Sequence, residues 1–379
     1  MRSKVSLIKC GSYDPAEVQA AIHQSLKLLG GIGYLVKPGQ KVLIKPNTLM
    51  GRAPEKAVTT HPSIVAAVVR EVISAGGIAL VGDSPGDVHS NALKVMEETG
   101  IKSAVESAGG KVIVFQQEGV VTVDGIMIAR PVMEADLIIN LPKLKTHGMT
   151  LYTGAIKNMF GCVPGFYKTQ FHTRFPRPID FARSLVKIFK ITKPGLNIAD
   201  GVIGMEGSGP ANGIPRKLGV IMASGDGVAL DAVASYLMGF DPRAIETTVA
   251  AYEQKLGEMD LDQIELAGAK LSDLVIKDWK HPPNSHWLTN RIPAIIYGVV
   301  SPIVNQLLSI MPEIDQEKCT KCMVCVNSCP AKTINYDKNS KIVKIDLSNC
   351  ISCFCCHELC KYDAVKLNRS WVVKLLNLA

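Results

Sequence analysis

Two cysteine runs near the C-terminal end of the chain have the spacing of metal-cluster ligands. Residues 319–329 and residues 350–360 each contain the pattern C-x-x-C-x-x-C-x-x-x-C, and the second run holds one further cysteine. In this pattern three thiolates of one run bind one [4Fe-4S] cluster, while the fourth binds the other cluster. The spacing therefore predicts two [4Fe-4S] clusters whose ligands cross between the runs.

This crossing divides eight cysteines into two ligand sets. The first set is Cys319, Cys322, Cys325 and Cys360, and the second set is Cys350, Cys353, Cys356 and Cys329. Cys355 remains as the odd thiol. Zinc ribbons and disulfides are the alternatives, but zinc sites usually consist of two C-x-x-C pairs far apart in sequence. Disulfides are disfavoured because no secretory signal precedes the cysteines.

Residues 313–368 resemble a bacterial two-cluster ferredoxin, on the evidence of the two cysteine runs and of Pro330 after the first of them. The resemblance implies a small α+β domain that transfers electrons. Lys361 stands where the second run of such a domain often has proline. We expect this departure to affect the stiffness of the loop more than it affects the ligation of the cluster.

Outside the cysteine runs, polar residues gather where predicted strands end, and the densest group follows Asn140. Lys143, Lys145 and His147 are two residues apart, so they share one face if the strand stays extended. Cationic groups clustered at a strand end suggest an anion site, and His147 could transfer a proton near neutral pH. An ordinary solvated strand end is the alternative. We predict an anion site in which Lys143, Lys145 and His147 are catalytic.

Other stretches supply candidate substrate-binding residues. Asp83 follows a strand, where its carboxylate could orient a lysine, hold a divalent ion or cap the local backbone. Asp200 and Glu206 lie in a glycine-rich stretch that matches neither nucleotide-binding fingerprint, and its glycines favour a lid, a backbone-lined pocket or a structural turn. The full predicted set is Lys45, Asn47, Asp83, Lys157, Asn158, Asp200 and Glu206.

Two aspartates and one cysteine near these stretches have simpler interpretations. Asp226 should cap the helix that follows it, whereas Asp231, one turn into that helix, needs a second explanation. Cys162 is best explained as buried packing, with a reactive thiol near the basic residues as the alternative.

The order of strands and helices predicts the scaffold that holds these residues. Apolar strands alternate with amphipathic helices, which is typical of an α/β fold with a largely parallel sheet and covering helices. The predicted strands are residues 5–8, 41–45, 78–82, 135–141, 196–198 and 218–222, and the predicted helices are residues 14–29, 61–74 and 228–237. Asp124-Gly125 predicts the turn of a β-hairpin. Ligands bind where parallel strands end, and the polar groups lie at such ends.

Residues 4 to about 250 resemble the proteins grouped as domain of unknown function 362, which are often fused to a two-cluster ferredoxin. The matching stretches are LIKPN at 43–47, GDSPG at 82–86, NLPKLKTHGMTLYTGAIKNMFGCVPG at 140–165, DGVIGMEGSGP at 200–210 and SGDGVALDAV at 224–233. The resemblance implies the fold and the position of the site. It implies no particular reaction.

A chain of 379 residues is too long to fold around a single hydrophobic core, so more than one domain is expected. We predict a body over residues 1–285, an apolar linker or docking segment over residues 286–312, and the ferredoxin-like domain with a C-terminal helix over residues 313–379. A peripheral membrane contact at residues 292–311 is a minor alternative, because prolines and amides interrupt that apolar stretch.

The formal charge of +8 does not indicate nucleic-acid binding. Residues 315–379 contribute +4 of it, from ten basic and six acidic residues, and two oxidised clusters would offset that with about −2 each. The remaining charge is too dispersed for a duplex-binding stripe. The cluster thiolates, and the lack of a secretory pattern in residues 1–30, predict a reducing, cytoplasmic location.

Two clusters and a cationic site in one chain make sense together if the clusters supply the site with electrons. The leading hypothesis is therefore a reductase that passes low-potential electrons from an external redox protein to an anionic small molecule in the body. The rival hypothesis is an electron carrier or iron-sulfur assembly partner without substrate chemistry of its own. A third is a non-redox enzyme with a sensory or structural ferredoxin-like domain. The sequence contains no flavin or nicotinamide motif.

The ligand assignment predicts opposite results for two adjacent cysteines. Cys356→Ala removes a thiolate of the second cluster, so one of the two cluster signals in electron paramagnetic resonance should be lost. Cys355→Ala removes only the odd thiol and should leave both signals. The reverse outcome would show that the register of the second run is wrong.

Overall fold

A ten-stranded sheet forms the body of the protein. The computed structural model describes residues 2–86, 90–165, 167–282 and 310–369. The strands of the body are β1 (Lys4–Lys9), β2 (Lys41–Pro46), β3 (Ile78–Val81), β4 (Lys111–Val112), β5 (Val120–Val123), β6 (Ile126–Ala129), β7 (Leu137–Leu141), β8 (Lys143–His147), β9 (Leu151–Thr153), β10 (Leu196–Glu206), β11 (Ile214–Ser224) and β12 (Glu265–Gly268). β5 and β6 form a separate two-stranded hairpin.

Most neighbouring strands of the large sheet are parallel. The strand order is β12-β1-β11-β10-β7-β2-β3-β4, and β8 pairs with both β10 and β9 beside this path. β10, β7, β2, β3 and β4 are parallel neighbours, whereas β11 is antiparallel to β1 and β10. The predicted α/β class with a largely parallel sheet is confirmed.

Helices cover both faces of this sheet. They are α1 (Pro15–Leu28), α2 (Ile32–Leu35), α3 (Pro62–Ser74), α4 (Ala92–Glu98), α5 (Ile101–Ser107), α6 (Arg130–Glu134), α7 (Ala155–Asn158), α8 (Tyr167–Arg174), α9 (Pro178–Thr192), α10 (Gly227–Leu237) and α11 (Glu246–Glu253). Side chains alternate between the faces along a strand, so Val42 and Ile44 of β2 join one core while Leu43 joins the other. α1, α3 and α5 pack on the first core, and α7, α9 and α10 pack on the second.

Local sequence signals explain where several elements begin. Asp14 and Asp226 each accept two backbone hydrogen bonds in the first turn of α1 and α10, which is the role of a helix cap. Asp124 and Gly125 have φ angles of 49° and 76° between β5 and β6, as a type I′ turn requires. Both predicted caps and the predicted hairpin are confirmed.

The second half of the sheet differs from the prediction. The short strands expected at residues 196–198 and 218–222 are the long β10 and β11, which form an antiparallel pair. The glycine-rich stretch, expected as a lid, a pocket or a turn, lies largely within β10. Glycine is needed there because a Cβ at Gly201 would lie 2.8 Å from the Val220 carbonyl oxygen. These glycines obscured the apolar pattern that would otherwise have predicted a longer strand.

β8 carries the three predicted catalytic residues. It pairs with different neighbouring strands from those that β7, the strand before it, pairs with. β7 pairs with β2 and β10, whereas β8 pairs with β10 and β9. Pro46, the last residue of β2, pairs with Leu141, so β8 extends beyond the carboxyl end of β2. All residues of β8 are buried. The predicted solvated alternative for this strand end is therefore wrong.

The cysteine-rich domain (residues 310–369) consists of two strand pairs and two single-turn helices. Its strands are β13 (Ile310–Ile314), β14 (Ile334–Asp337), β15 (Ile342–Ile345) and β16 (Val365–Arg369), and its helices are α12 (Val324–Asn327) and α13 (Cys355–Glu358). β13 pairs with β16 and β14 pairs with β15, both antiparallel. Each helix follows a residue of positive φ within a cysteine run, Met323 and Phe354. The repetition of this unit is the small α+β arrangement expected from the two runs.

Polar and apolar contacts join the cysteine-rich domain to the body. Arg52 donates to the Cys360 carbonyl oxygen at 3.2 Å, and Asn212 donates to the His357 carbonyl oxygen at 2.7 Å. The apolar contact is formed by Met50, Val58, Met205 and Ala211 of the body with Leu359 of the cysteine-rich domain. These contacts hold α13 against the ends of the body strands.

Parts of the domain prediction fall outside the described residues. The predicted linker at 286–312, with the membrane contact at 292–311, falls almost wholly within residues 283–309, and the predicted C-terminal helix falls within residues 370–379. The boundaries of the three predicted domains stay predictions. In the part of the chain that the structure describes, no helix combines the length and apolar character needed to cross a bilayer.

Asp231 fixes the start of α7 through hydrogen bonds. This explains why an aspartate stands one turn into α10, where it does not act as the helix cap. Its Oδ1 accepts hydrogen bonds from the Ala155 N–H at 2.6 Å and the Tyr152 hydroxyl at 3.2 Å, and its Oδ2 accepts from the Ile156 N–H at 3.0 Å. Because α7 carries two of the predicted binding residues, Asp231 is a positioning residue for them.

Asp231→Ala should loosen α7 and destabilise the protein. Two buried N–H groups lose their acceptor, at a cost of about 1–3 kcal/mol each. Amide hydrogen exchange at residues 155 and 156 should therefore accelerate, and the Tm should fall. Asp273→Ala changes an exposed aspartate and is the control, with little expected change in the Tm. Equal exchange rates in the two variants would contradict the positioning role.

Candidate functional site

A cavity of about 90 Å³ lies where the body meets the cysteine-rich domain. The body side is lined by the polar side chains of Asn47, Asp83, Ser84, His147, Lys157, Asn158, Lys168 and His172, and by the rings of Phe160 and Phe181. The other side is lined by Ser328, Cys355, Glu358 and Leu359. Neither domain forms this cavity alone.

The ends of parallel strands position the body side of the cavity. β2 ends just before Asn47, β3 ends shortly before Asp83, and β8 ends at His147. Three strands thus deliver polar side chains to one edge of the sheet, where ligands of such folds bind. Lys168 and His172 are four residues apart on α8, so they lie on the same face of that helix.

Lys45 and Asp83 form a buried ion pair at the cavity wall. Lys45 Nζ lies 2.7 Å from Asp83 Oδ1. Asp83 Oδ2 accepts hydrogen bonds from the backbone N–H and the hydroxyl of Thr48, both at 2.8 Å. Of the roles considered for Asp83, this geometry fits the orientation of a lysine and the capping of local backbone. Among the described residues, no group of His, Cys, Asp or Glu side chains is arranged to hold a single metal ion.

A chain of amide side chains connects Lys145 to the cavity wall. Lys145 Nζ donates to Asn47 Oδ1 at 2.9 Å and to the Val58 carbonyl oxygen at 2.7 Å. Asn47 Nδ2 donates to Asn158 Oδ1 at 3.0 Å, and Asn158 Nδ2 donates to Asn140 Oδ1 at 2.7 Å. Lys145 therefore lies behind the lining and orients two lining amides. Burial lowers the pKa of Lys145 well below its ordinary value, and nearby lysines add to the effect.

Lys143, Asp200 and Glu206 do not line this cavity. Lys143 Nζ lies 2.9 Å from Asp200 Oδ2 and donates to the Tyr13 hydroxyl at 2.6 Å. Glu206 pairs with Arg216 at 2.8 Å. Each of these two carboxylates already has a cationic partner in the body. The structure therefore separates three of the predicted site residues from the other seven, which line the cavity or contact its lining.

His147 faces the cysteine-rich domain, with its Nε2 3.2 Å from Glu358 Oε1. Its Nδ1 accepts hydrogen bonds from the backbone N–H groups of Met149 at 3.1 Å and Thr150 at 3.3 Å, which places the ring proton of the neutral imidazole on Nε2. Burial, reinforced by nearby lysines, lowers the pKa of His147 well below its ordinary value. His147 is therefore neutral near pH 7 and suited to donating a hydrogen bond, whereas the sequence predicted a group that titrates there.

Three polar groups of the lining have no partner among the described residues. Lys157 makes no hydrogen bond or ion pair there, and neither the Ser328 hydroxyl nor His172 Nδ1 has a hydrogen-bond partner. Leaving the buried Ser328 hydroxyl or His172 Nδ1 without a partner costs about 1–3 kcal/mol each, whereas the Lys157 side chain is half-buried. These groups leave hydrogen-bonding capacity in the lining unused.

Lys168 and Glu358 were missed by the sequence analysis. Lys168 Nζ donates to the carbonyl oxygens of Ser84 and Pro85, and burial lowers its pKa to about 7. Burial also raises the pKa of Glu358 to about 7, against the opposing effect of nearby lysines. The four-residue spacing of Lys168 and His172 was a weak signal for a shared helix face. Glu358 gave no signal of its own, because it lies inside a cysteine run.

The cluster thiols lie in two groups. Cys319, Cys322, Cys325 and Cys360 line one small cavity. Burial and then the neighbouring thiols Cys353 and Cys329 raise the pKa of Cys350. Burial and then Cys353, Cys350, Cys325 and Cys329 raise the pKa of Cys356. Apart from Cys325, this is the grouping of the predicted crosswise assignment. Eight thiols arranged in two sets of four fit the ligand requirement of two four-iron clusters.

The cavity between the domains adjoins the second ligand set. Ser328 immediately precedes Cys329, and Cys355 lies between two further ligands of that set. Those two ligands are buried, whereas Cys322 of the first set is exposed. In the predicted assignment, the second ligand set therefore borders the cavity and the first set opens to the surface.

Gly161→Ala should disrupt the ion pair at the cavity wall. A Cβ at this position would lie 2.0 Å from Asp83 Oδ1 and 2.6 Å from Lys45 Nζ, so the pair must move apart. We expect a loss of stability of about 1–3 kcal/mol, measured as a lower Tm. Gly33→Ala is the control, because a Cβ there meets no atom within 4 Å. A wild-type Tm in Gly161→Ala would mean that the wall is not tightly packed.

Comparisons with known proteins cover both parts of the chain. Residues 42–236 match the family described as Domain of unknown function (DUF362), and residues 311–361 match the 4Fe-4S dicluster domain. The thylakoid-associated protein of Synechocystis sp. is 35% identical over 288 residues, which are 74% of this chain and 88% of that protein. The matches therefore extend over most of the sequence.

Two further proteins resemble parts of the chain. The pyruvate synthase subunit PorD of Methanocaldococcus jannaschii is 36% identical over 77 residues, which are 20% of this chain and 88% of that protein. The lactate racemase apoprotein from Thermoanaerobacterium thermosaccharolyticum superposes with a TM-score of 0.41 at 13% identity, over 63% of this chain and 57% of that one. A likeness at this level carries no argument about function. The chain belongs to the DUF362 family, and its 4Fe-4S dicluster domain binds two [4Fe-4S] clusters.

Proposed function

We propose that the protein is an iron-sulfur reductase that delivers electrons from an external redox protein to a small anionic molecule held between its two domains. The lining of the cavity is the observation that carries this proposal. Lys157, without a partner among the described residues, lines it from the body, and Ser328 and Cys355 line it from the cysteine-rich domain. Because Ser328 and Cys355 adjoin ligands of one cluster, a molecule bound there would meet a cation and a cluster site together.

The electron balance fits a simple reduction. When bound, the clusters supply one-electron transfer at low potential. Reduction of one carbon-oxygen or carbon-carbon double bond takes two electrons and two protons, so two one-electron transfers balance one turnover. The external redox protein is oxidised in the process, and the protons come from solvent through side chains of the cavity.

The lining residues take separate roles in this proposal. Lys157 binds the negative charge of the substrate. His147, which burial keeps neutral, donates a hydrogen bond from Nε2 to the substrate. Lys168 transfers a proton, since a lysine with a pKa of about 7 holds and releases one near neutral pH. A group whose pKa lies near the working pH is the most effective proton donor.

The residues behind the lining act on these groups indirectly. Lys145 orients Asn47 and Asn158 through hydrogen bonds, and Lys45 fixes Asp83. In this proposal they are positioning residues. The three predicted residues that lie away from the cavity stabilise the body and do not touch the substrate.

The size of the cavity limits the substrate. Pockets for drug-sized ligands are typically about 300–1,000 Å³, whereas this one is about 90 Å³. The substrate in this proposal is therefore a small molecule. Its apolar part lies against the rings of Phe160 and Phe181, which line the same cavity.

An external protein supplies the electrons in this proposal. Cys322 of the first ligand set is exposed, which gives a partner access to that cluster. PorD, which is similar to the cysteine-rich domain, is by its name one subunit of an enzyme, and we extend the need for a protein partner to this chain. A reducing cytoplasm belongs to the same proposal, because cluster thiolates are kept reduced there.

Anaerobic reoxidation tests the proposal. Protein reduced with a limiting amount of dithionite is mixed with fractions of a small-molecule extract, while cluster absorbance and electron paramagnetic resonance are followed. We expect one fraction to reoxidise the clusters and to yield a product reduced by two electrons. Reoxidation by protein fractions alone would indicate an electron carrier and overturn the reductase.

A lysine variant then tests the site. Lys157→Met removes the cation while roughly keeping the length of the side chain, so reoxidation by the active fraction should slow by about tenfold or more, equivalent to about 1.4 kcal/mol. Reduction by dithionite should be unchanged. Lys190→Met, at an exposed position of α9, is the matched control and should keep the wild-type rate. An unaffected rate in Lys157→Met would place the substrate elsewhere.

A further inference from the structure

A groove of about 410 Å³ lies between α8, α9 and the β5–β6 hairpin. Tyr167, Phe171 and Arg174 of α8 line this groove, whereas Lys168 and His172 of the same helix line the cavity between the domains. Residues three and four apart share one face of a helix, so two different faces of α8 border two different pockets. The function proposed above uses only the cavity.

Aromatic and aliphatic side chains form much of the lining of the groove. Phe171 and Phe175 are half-buried, with ring centroids 5.9 Å apart, and Ile126 and Met127 line the groove from the hairpin. Pockets for small organic ligands are typically roughly 300–1,000 Å³ and mostly apolar, with a few polar groups. The groove therefore has the size and the lining of a small-molecule site.

Three cationic side chains line the same groove. Arg183 is exposed and makes no hydrogen bond or ion pair among the described residues. The Arg174 guanidinium carbon lies 5.4 Å from the centroid of the Phe175 ring. Lys187 Nζ donates to the Asp124 carbonyl oxygen at 2.7 Å, which ties the hairpin to α9. Arg183 is therefore the cation that a ligand can pair with directly.

The carboxylates of the groove do not offset these cations. Asp124 and Asp180 line it, and Asp180 Oδ2 lies 3.7 Å from the Nε of Arg177, which is not part of the described lining. With Arg177 included, two carboxylates face four cations, which are Arg174, Arg177, Arg183 and Lys187. None of the eight predicted cluster ligands lines the groove in the described part of the chain, so this count contains no cluster charge. The balance favours an anion.

We propose that the groove is a second ligand site, which binds a small aromatic monocarboxylate. The ring of the ligand packs against Phe171 and Phe175, since offset and edge-on contacts between rings add to the burial of apolar surface. Its carboxylate accepts hydrogen bonds from Arg183, because the planar guanidinium matches the two oxygens of a carboxylate. The site goes beyond the proposed function, because this binding involves no electron transfer.

Calorimetry on the intact, oxidised protein tests the chemistry of the ligand. The probe is 2-naphthoate, and we expect saturable binding. Its neutral amide, 2-naphthamide, keeps the ring and nearly the same shape, so it should bind at least about threefold more weakly. Benzoate should bind about twofold or more tighter than cyclohexanecarboxylate, which has no aromatic ring. An amide that binds as tightly as the acid, or no binding by either aromatic carboxylate, would overturn the proposal.

Amide hydrogen exchange locates the bound probe. A ligand in the groove contacts both α8 and the β5–β6 hairpin, so exchange in residues 120–129 and 167–174 should slow when 2-naphthoate is added. No hairpin residue belongs to the described lining of the cavity, and protection of the hairpin therefore distinguishes the two pockets. Protection of α8 without the hairpin would place the probe in the cavity and contradict the proposal.

Three variants test the assigned contact. Arg183→Met removes the unpaired guanidinium and should weaken binding of 2-naphthoate by about threefold or more, with little effect on 2-naphthamide. Arg70→Met is the matched control, because Arg70 is an exposed arginine on α3, across the sheet from α9. Lys157→Met changes the cavity and should keep the wild-type affinity. Unchanged cluster absorbance verifies that each variant is folded. Wild-type affinity in Arg183→Met, or a loss of affinity in Lys157→Met, would show that the groove is not the site.

These outcomes are independent of the proposed function. If 2-naphthoate binds in the groove but no small molecule reoxidises the clusters, the groove site stands and the reductase fails. If a small molecule reoxidises the clusters and is reduced but no aromatic carboxylate binds in the groove, the reductase stands and the groove site fails.

Discussion

The burial of lysine ammonium groups at the carboxyl edge of a parallel sheet is the constraint that the rest of this structure satisfies. Lys45 enters at the end of β2 without contact with solvent, and Asp83 lies 2.7 Å from it. Thr48 binds the second oxygen of that carboxylate, and Gly161 leaves room for the pair. A buried charge without its partner is strongly destabilising. The Lys45–Asp83 ion pair therefore fixes the loops that follow β2 and β3, and it requires the space that Gly161 leaves.

The amide side chains behind the cavity satisfy the same constraint in another way. An asparagine both donates and accepts hydrogen bonds, so the chain from Lys145 through Asn47 and Asn158 continues across the buried sheet without adding any charge. Carboxylates at those positions would have neutralised the lysines. The chain of amides therefore adds no carboxylate counter-charge for Lys145.

The cavity depends on both domains, and this connects the charge of the site with the clusters. The body supplies the lysines, while α13 of the cysteine-rich domain supplies Cys355 and Glu358 and closes the opposite side. Charges interact more strongly where the surroundings are less polar than bulk water. The predicted second ligand set then lies beside those charges. The contacts of Arg52 and Asn212 with α13 and the adjoining loop maintain this arrangement.

The sequence by itself determined the two [4Fe-4S] clusters, the helix caps, the hairpin turn and the α/β class, because each depends on residues close together in the chain or on a local period. Only the tertiary structure decided which polar residues share a cavity. Lys143 and Asp200 pair with each other because β8 lies beside β10, and this removes both from the lining. Lys168 reaches the site from a segment without a recognisable binding motif, and Ser328 and Glu358 reach it from positions inside the cysteine runs that the cluster spacing leaves without a role. The protonation of the lysines was also decided by the fold, since burial lowers their pKa and burial is a property of packing rather than of spacing.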